Sequence, residues 1–99
     1  MADDPFQKIH KQMAKAGLPA DGAIPFKPQI ATNKKGEPII IKAPVRHGPK
    51  KGKYGYVDSM GRIWIKDRAH GKYPDHWDVQ ENGGAQGHTR VDLQGNILP

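Results

Sequence analysis

The chain contains no cysteine, which excludes disulfide frameworks, thiolate nucleophiles and thiolate zinc sites. Long apolar runs are also missing. The densest, Pro38-Ile39-Ile40-Ile41, falls far short of the roughly 20 apolar residues that span a bilayer. The N-terminus has no apolar core of the signal-peptide kind, so export is expected to depend on a carrier. Acidic residues are scarce, 10 against 16 Lys and Arg, for a formal net charge of +6. A glycine-rich phosphate loop, a nucleophile elbow and a redox motif are all lacking.

What remains is a 99-residue chain with 35% hydrophobic and 26% charged residues. That is one domain by size, spanning 1–99. A chain this short buries about 60–65% of its unfolded surface. It supports one modest core and a shallow groove or exposed sheet face as a site, not a deep cavity. The positive surplus favours polyanionic partners, and it is unevenly placed. From Lys27 to Lys53 there are eight Lys/Arg against one acid, Glu37, whereas Gly61 to Pro99 holds five of each sign. A basic arm thus precedes a balanced block that carries most of the histidines.

Asp4-Pro5 followed by Phe6, Ile9 and Met13 predicts a short amphipathic helix over residues 1–17. Asp4 suits the N-cap, Pro5 the first turn and Gly17 the stop. Its apolar stripe should dock onto a sheet. Residues 18–37, rich in Pro, Gly and Lys, read as loop. A strand follows at Pro38 to Ala43, then a second basic loop through Lys53. Tyr54–Val57 and Arg62–Lys66 flank a turn at Asp58-Ser59-Met60-Gly61. Asp75–Gln80 and Gly87–Asp92 alternate polar and apolar residues, with Asn82-Gly83-Gly84 between them and a further turn at Gln94-Gly95-Asn96. The expected architecture is α+β: a short N-terminal helix packed on a highly twisted antiparallel sheet of four to five strands. Residues 18–53 form the basic arm and residues 54–99 a meander that carries the site.

Strand parity puts His76, Asp78 and Gln80 on one face and Trp77 and Val79 on the other. In the next strand His88, Arg90 and Asp92 share a face. A hairpin closing about residues 82–84 then brings Asp78 near His88 and His76 near Arg90, all on an outward polar face. A slip of two residues would preserve that parity. Metal-free RNA cleavage needs such groups: a base for the ribose 2′-hydroxyl, an acid for the departing 5′-oxygen, and a cation for the phosphoryl charge. Histidine suits both proton roles, since its ordinary pKa is about 6.5. Asp78 is placed to orient an imidazole or act as base, and Arg90 to hold a phosphate through paired hydrogen bonds. Asp67 and His70 form a second cluster in the preceding loop. Lys34, Lys35, Lys50, Lys51 and Lys53 could grip a nucleic-acid backbone, with Tyr54 and Tyr56 stacking bases. Against this, polar alternation on a solvated face is ordinary, and charged cross-strand pairs merely stabilise pairing.

Metal binding is a rival use of the histidines: His70, His76 and His88 with Asp75 or Asp78. Their spacing matches no specific metal signature. The reading adopted therefore requires neither metal nor cofactor.

The segments KKGKYGYVDSMGRIW, AHGKYPDHWDVQ and GHTRVDLQGNI, within Lys50 to Ile97, resemble C-terminal toxin domains of bacterial polymorphic and contact-dependent toxins. The layout is also similar to the cytotoxic ribonuclease domain of the ribosome-cleaving colicins and cloacin. The matching pieces are Gly61-Arg62, Asp67-Arg68-Ala69-His70-Gly71, then Asp75 or Asp78, then His88 and Gly95. The resemblance covers about half the chain. It implies a toxin that cleaves ribosomal or transfer RNA through a 2′,3′-cyclic phosphate in the target-cell cytoplasm. It also implies delivery as part of a larger protein and an acidic immunity protein as partner. Carried over, it assigns proton work to Asp67, His70 and Asp75 or Asp78. The late basic segment of the colicin pattern is missing, and Arg90 takes its place. The expectation is an endoribonuclease with His76 and His88 as acid/base pair. The alternatives are a non-catalytic nucleic-acid-binding module and a metal-dependent DNase.

Overall fold

The computed structural model describes residues 5–46, 51–68, 71, 74–81 and 88–99, apart from the side chains of Pro5 and His88. Helix α1 (Pro5–Ala16) is followed by β1 (Ile30–Thr32), β2 (Pro38–Ile40), β3 (Lys42–Pro44), β4 (Tyr54–Val57), β5 (Ile63–Asp67), β6 (His76–Gln80) and β7 (His88–Asp92). The fold is α+β. Strands β3 to β7 form a five-stranded antiparallel meander in sequence order, and β1 pairs with β2 in a separate two-stranded sheet.

The apolar spacing of α1 buries Ile9 and Met13. Phe6, in the same stripe, stays 57% exposed. The helix stops where glycine permits a left-handed residue: Gly17 has φ 79°. The Gly17 amide donates to Ala14 and the Leu18 amide to Met13, capping the last carbonyls, and Leu18 turns into the core. Asp4, the expected N-cap, lies outside the described residues.

Two differences from the sequence reading concern the arm. The strand expected at Pro38–Ala43 is two strands in two sheets. Ile41 is the joint: its amide donates to Gln29 and its carbonyl accepts from Val57, so the chain changes partners there. Residues 18–37 are not all loop. Ile30–Thr32 pairs with Pro38–Ile40, closed by Asn33, whose Oδ1 accepts from the Lys35 and Glu37 amides at 2.9 and 3.0 Å. Three residues of strand among prolines and lysines leave too short a pattern to read.

The five-stranded sheet has two different faces. One carries Trp64, Trp77, Val79 and Val91 against Ile9, Met13, Leu18, Phe26 and Ile40. There Trp77 Nε1 donates to the Gly17 carbonyl at 2.9 Å, fixing the end of α1 on β6. The other face is apolar at the β3–β5 side, where Val45, Val57, Ile63 and Ile65 cluster, and polar at the β6–β7 side. The sheet is strongly curled. Arg46, just past β3, reaches β6, and its amide donates to Gln80 Oε1 at 3.1 Å. Gly55 allows this coiling, since a Cβ there would lie 2.6 Å from the Trp64 carbonyl oxygen.

Candidate nucleic-acid-cleaving face

The polar end of the second face is assembled by strand register. Asp67 and His76 are partners across β5 and β6, and Ile65 faces Asp78. Across β6 and β7, His76 faces Asp92, Asp78 faces Arg90 and Gln80 faces His88. The parity argument therefore holds, but the pairs are displaced by two residues. Asp78 meets Arg90 rather than His88, and His76 does not meet Arg90. The displacement has a packing cause: it sets Val91 opposite Trp77, and both are buried.

The face is also less open than alternation alone suggests. His76 is 0% exposed and Gln80 5%. The His76 ring does not point to solvent. Its Nδ1 lies 2.9 Å from the Pro74 carbonyl oxygen. A carbonyl can only accept, so Nδ1 carries the proton. Nε2 faces two carboxylates, 3.5 Å from Asp67 Oδ2 and 3.4 Å from Asp78 Oδ1. The side chains of Asp67 and Asp78 remain 25% and 16% exposed. Solvent thus reaches this cluster from the carboxylates. A phosphodiester arriving there would meet Asp67, Asp78 and the half-buried Arg90, not the His76 ring. The Pro74 carbonyl precedes β6 and belongs to no strand, so no strand period encodes this contact.

The other expected site residues are placed as follows. Asp75 is exposed beside β6. His88 lies in β7 at the end nearer Gln80; its side chain, His70 and Lys50 lie outside the described residues. Lys51 and Lys53 are exposed in the β3–β4 connection, whose Arg46 touches β6. Lys34 and Lys35 sit at the tip of the β1–β2 hairpin. That hairpin is tied to α1 by Lys8 Nζ to Glu37 at 3.2 Å and by Gln12 to the Pro38 carbonyl at 3.3 Å. This pair of lysines therefore belongs to the other sheet. Tyr54 and Tyr56 lie on the helix-covered face, opposite the acidic cluster. Tyr56 packs edge-on against Trp77 at 6.0 Å, with the Lys42 ammonium 5.2 Å from its ring centre. It lines a cleft of about 740 Å³ between α1 and β2–β3, together with Lys15, Ile39 and Lys42. The structure therefore does not bring the tyrosines together with the acidic cluster.

Two polar residues outside the expected set matter to this geometry. Gln80 fixes the start of the basic connection on β6. Asp58 is 1% exposed in the β4–β5 turn. Its Oδ1 accepts from the Met60 and Arg62 amides at 3.0 and 2.8 Å, and its Oδ2 from Arg62 Nε and Trp64 Nε1 at 2.7 and 2.9 Å. The signal was present in sequence: an aspartate opening a glycine turn, with Arg and Trp four and six residues on.

No known protein family, curated protein or solved structure matches the chain. Among the described residues no helix is long and apolar enough to cross a membrane.

Proposed function

We propose that this domain is a toxin-type endoribonuclease that cleaves RNA without a metal. The observation that carries the reading is the meeting of Asp67, Asp78 and Arg90 on one curled sheet face, beside a connection rich in lysine. A carboxylate on this face removes the proton of the ribose 2′-hydroxyl. The 2′-oxygen attacks phosphorus, the bond to the 5′-oxygen breaks, and an acid protonates that oxygen. The products are a 2′,3′-cyclic phosphate and a 5′-hydroxyl. Asp78 is the candidate base, and Arg90 offsets the phosphoryl charge. His88 is the candidate acid. His76, sealed inside, is reassigned from substrate-facing catalyst to the group that holds Asp67 and Asp78 together. The basic connection supplies backbone grip, and Lys34 and Lys35 serve a more distant part of the strand. The family resemblance adds delivery by a larger toxin, action in the target-cell cytoplasm and an acidic immunity protein that covers the cationic side.

Incubating the chain with total RNA in a chelator tests this reading. Wild type should fragment RNA, while Asp78→Asn and Arg90→Ala should each lose at least about 100-fold in rate with the fold intact. Salt-dependent binding with no fragments would leave only a cationic binding module.

A further inference from the structure

We propose that Asp67, His76 and Asp78 also form a binding site for a divalent transition-metal ion of the Zn²⁺ type. The site goes beyond the ribonuclease reading and does not depend on it. Its three donors come from positions that face one another or alternate on neighbouring strands: Asp67 opposite His76, and Asp78 two residues on. One ligand atom from each of the three lies within 4.8 Å of the other two, and His76 Nε2 is 3.5 Å from Asp67 Oδ2 and 3.4 Å from Asp78 Oδ1.

Three features point to an ion rather than to a plain ion pair. The first is distance. Charge-assisted hydrogen bonds between nitrogen and carboxylate run at about 2.7–2.9 Å, whereas both separations here are longer, 3.4 and 3.5 Å. Donors around a tetrahedral ion with bonds of about 2.1 Å stand about 3.4 Å apart. The second is the outer shell. His76 Nδ1 donates to the Pro74 carbonyl, which leaves Nε2 directed at the carboxylates. A metal-bound imidazole typically donates its other N–H to a backbone carbonyl in this way. The third is access. The imidazole is fully buried while the carboxylates keep a solvent side, so an ion would enter past them and retain an open position for water. Two carboxylates neutralise a dication, and the imidazole selects Zn²⁺ over Mg²⁺ and Ca²⁺. Asp92, opposite His76, is not a fourth donor through Oδ1, which accepts the Gln94 and Asn96 amides at 2.9 Å each.

The same two carboxylates serve the proposed cleavage, so Zn²⁺ should inhibit it. The test combines titration calorimetry and thermal melting of the full chain, stripped with chelator and then given Zn²⁺ or Mg²⁺. Zn²⁺ should bind one to one and raise Tm by at least about 5 °C at saturation, reversibly with chelator, whereas Mg²⁺ should do neither. Asp67→Asn, at a partly exposed position that leaves the core intact, should weaken Zn²⁺ at least about tenfold, and Arg90→Ala should retain binding. Absence of one-to-one binding, or unchanged affinity in Asp67→Asn, overturns the site. RNA cleavage that proceeds in chelator without any Zn²⁺ binding would overturn the site and leave the ribonuclease standing. Cleavage that occurs only with added metal, together with Zn²⁺ binding, would support the site and overturn the metal-free mechanism.

Discussion

Asp58 and Asp78 are carboxylates of the same sheet in opposite circumstances. Asp58 is enclosed by four donors at 2.7–3.0 Å, all from residues two to six positions downstream. Asp78 sits 3.4 Å from His76 Nε2, in a cluster gathered from three strands. A carboxylate clamped by local backbone and side-chain donors has no geometry left to offer a ligand, and its task is to close a hairpin. A carboxylate brought by strand register beside an imidazole, and still 16% exposed, keeps a side open to solvent where a proton, a phosphate partner or a cation can approach. The contrast separates an acid enclosed by its hairpin from one that a sheet face leaves accessible, within a single small domain.

Replacing Asp58 should produce the largest effect on stability. Asp58→Ala strands the buried Trp64 Nε1 and the Arg62 guanidinium, and should destabilise by about 3–5 kcal/mol in denaturant unfolding, a large share of the roughly 5–15 kcal/mol that holds a domain folded. Asp78→Asn should change stability by less than about 1 kcal/mol while removing most RNA cleavage, so the two variants should sort oppositely in unfolding and activity assays. A similar stability loss in both would erase the distinction.

A third acid, Glu37, marks the exposed extreme. The Lys8 hydrogen bond, then that of Asn33, then the Lys8 charge hold its carboxyl below the usual glutamate value. A lowered carboxyl contributes stability above its unfolded-state pKa and loses it as pH falls through the folded one. Glu37→Gln should therefore lower Tm slightly at neutral pH, by less than either variant above, and the difference from wild type should vanish in strong acid. Melting curves across pH would show it.

The parts of this fold written in local pattern were legible. The turn at Asp58–Gly61, the alternation of His76–Gln80 and His88–Asp92, and the helix ending at Gly17 each follow from a few adjacent residues. Ile30–Thr32 was not legible, because a three-residue strand has no period to display. The break at Ile41 depends on Gln29 and Val57, which are remote in sequence. For the site, parity correctly grouped His76, Asp78 and Arg90 on one face. It could not give the register, which the packing of Val91 on Trp77 decides. Nor could it give the burial of His76 or the contact of its Nδ1 with the carbonyl of Pro74. The pairing of Asp67 with His76 likewise arises only when β5 and β6 align.

The end chemistry of RNA fragments made in chelator tests the proposed ribonuclease reading most directly. Fragments bearing 2′,3′-cyclic phosphate and 5′-hydroxyl ends, absent with Arg90→Ala, are the predicted result. Fragments with 3′-hydroxyl and 5′-phosphate ends, or RNA left whole by the wild-type chain, would contradict it.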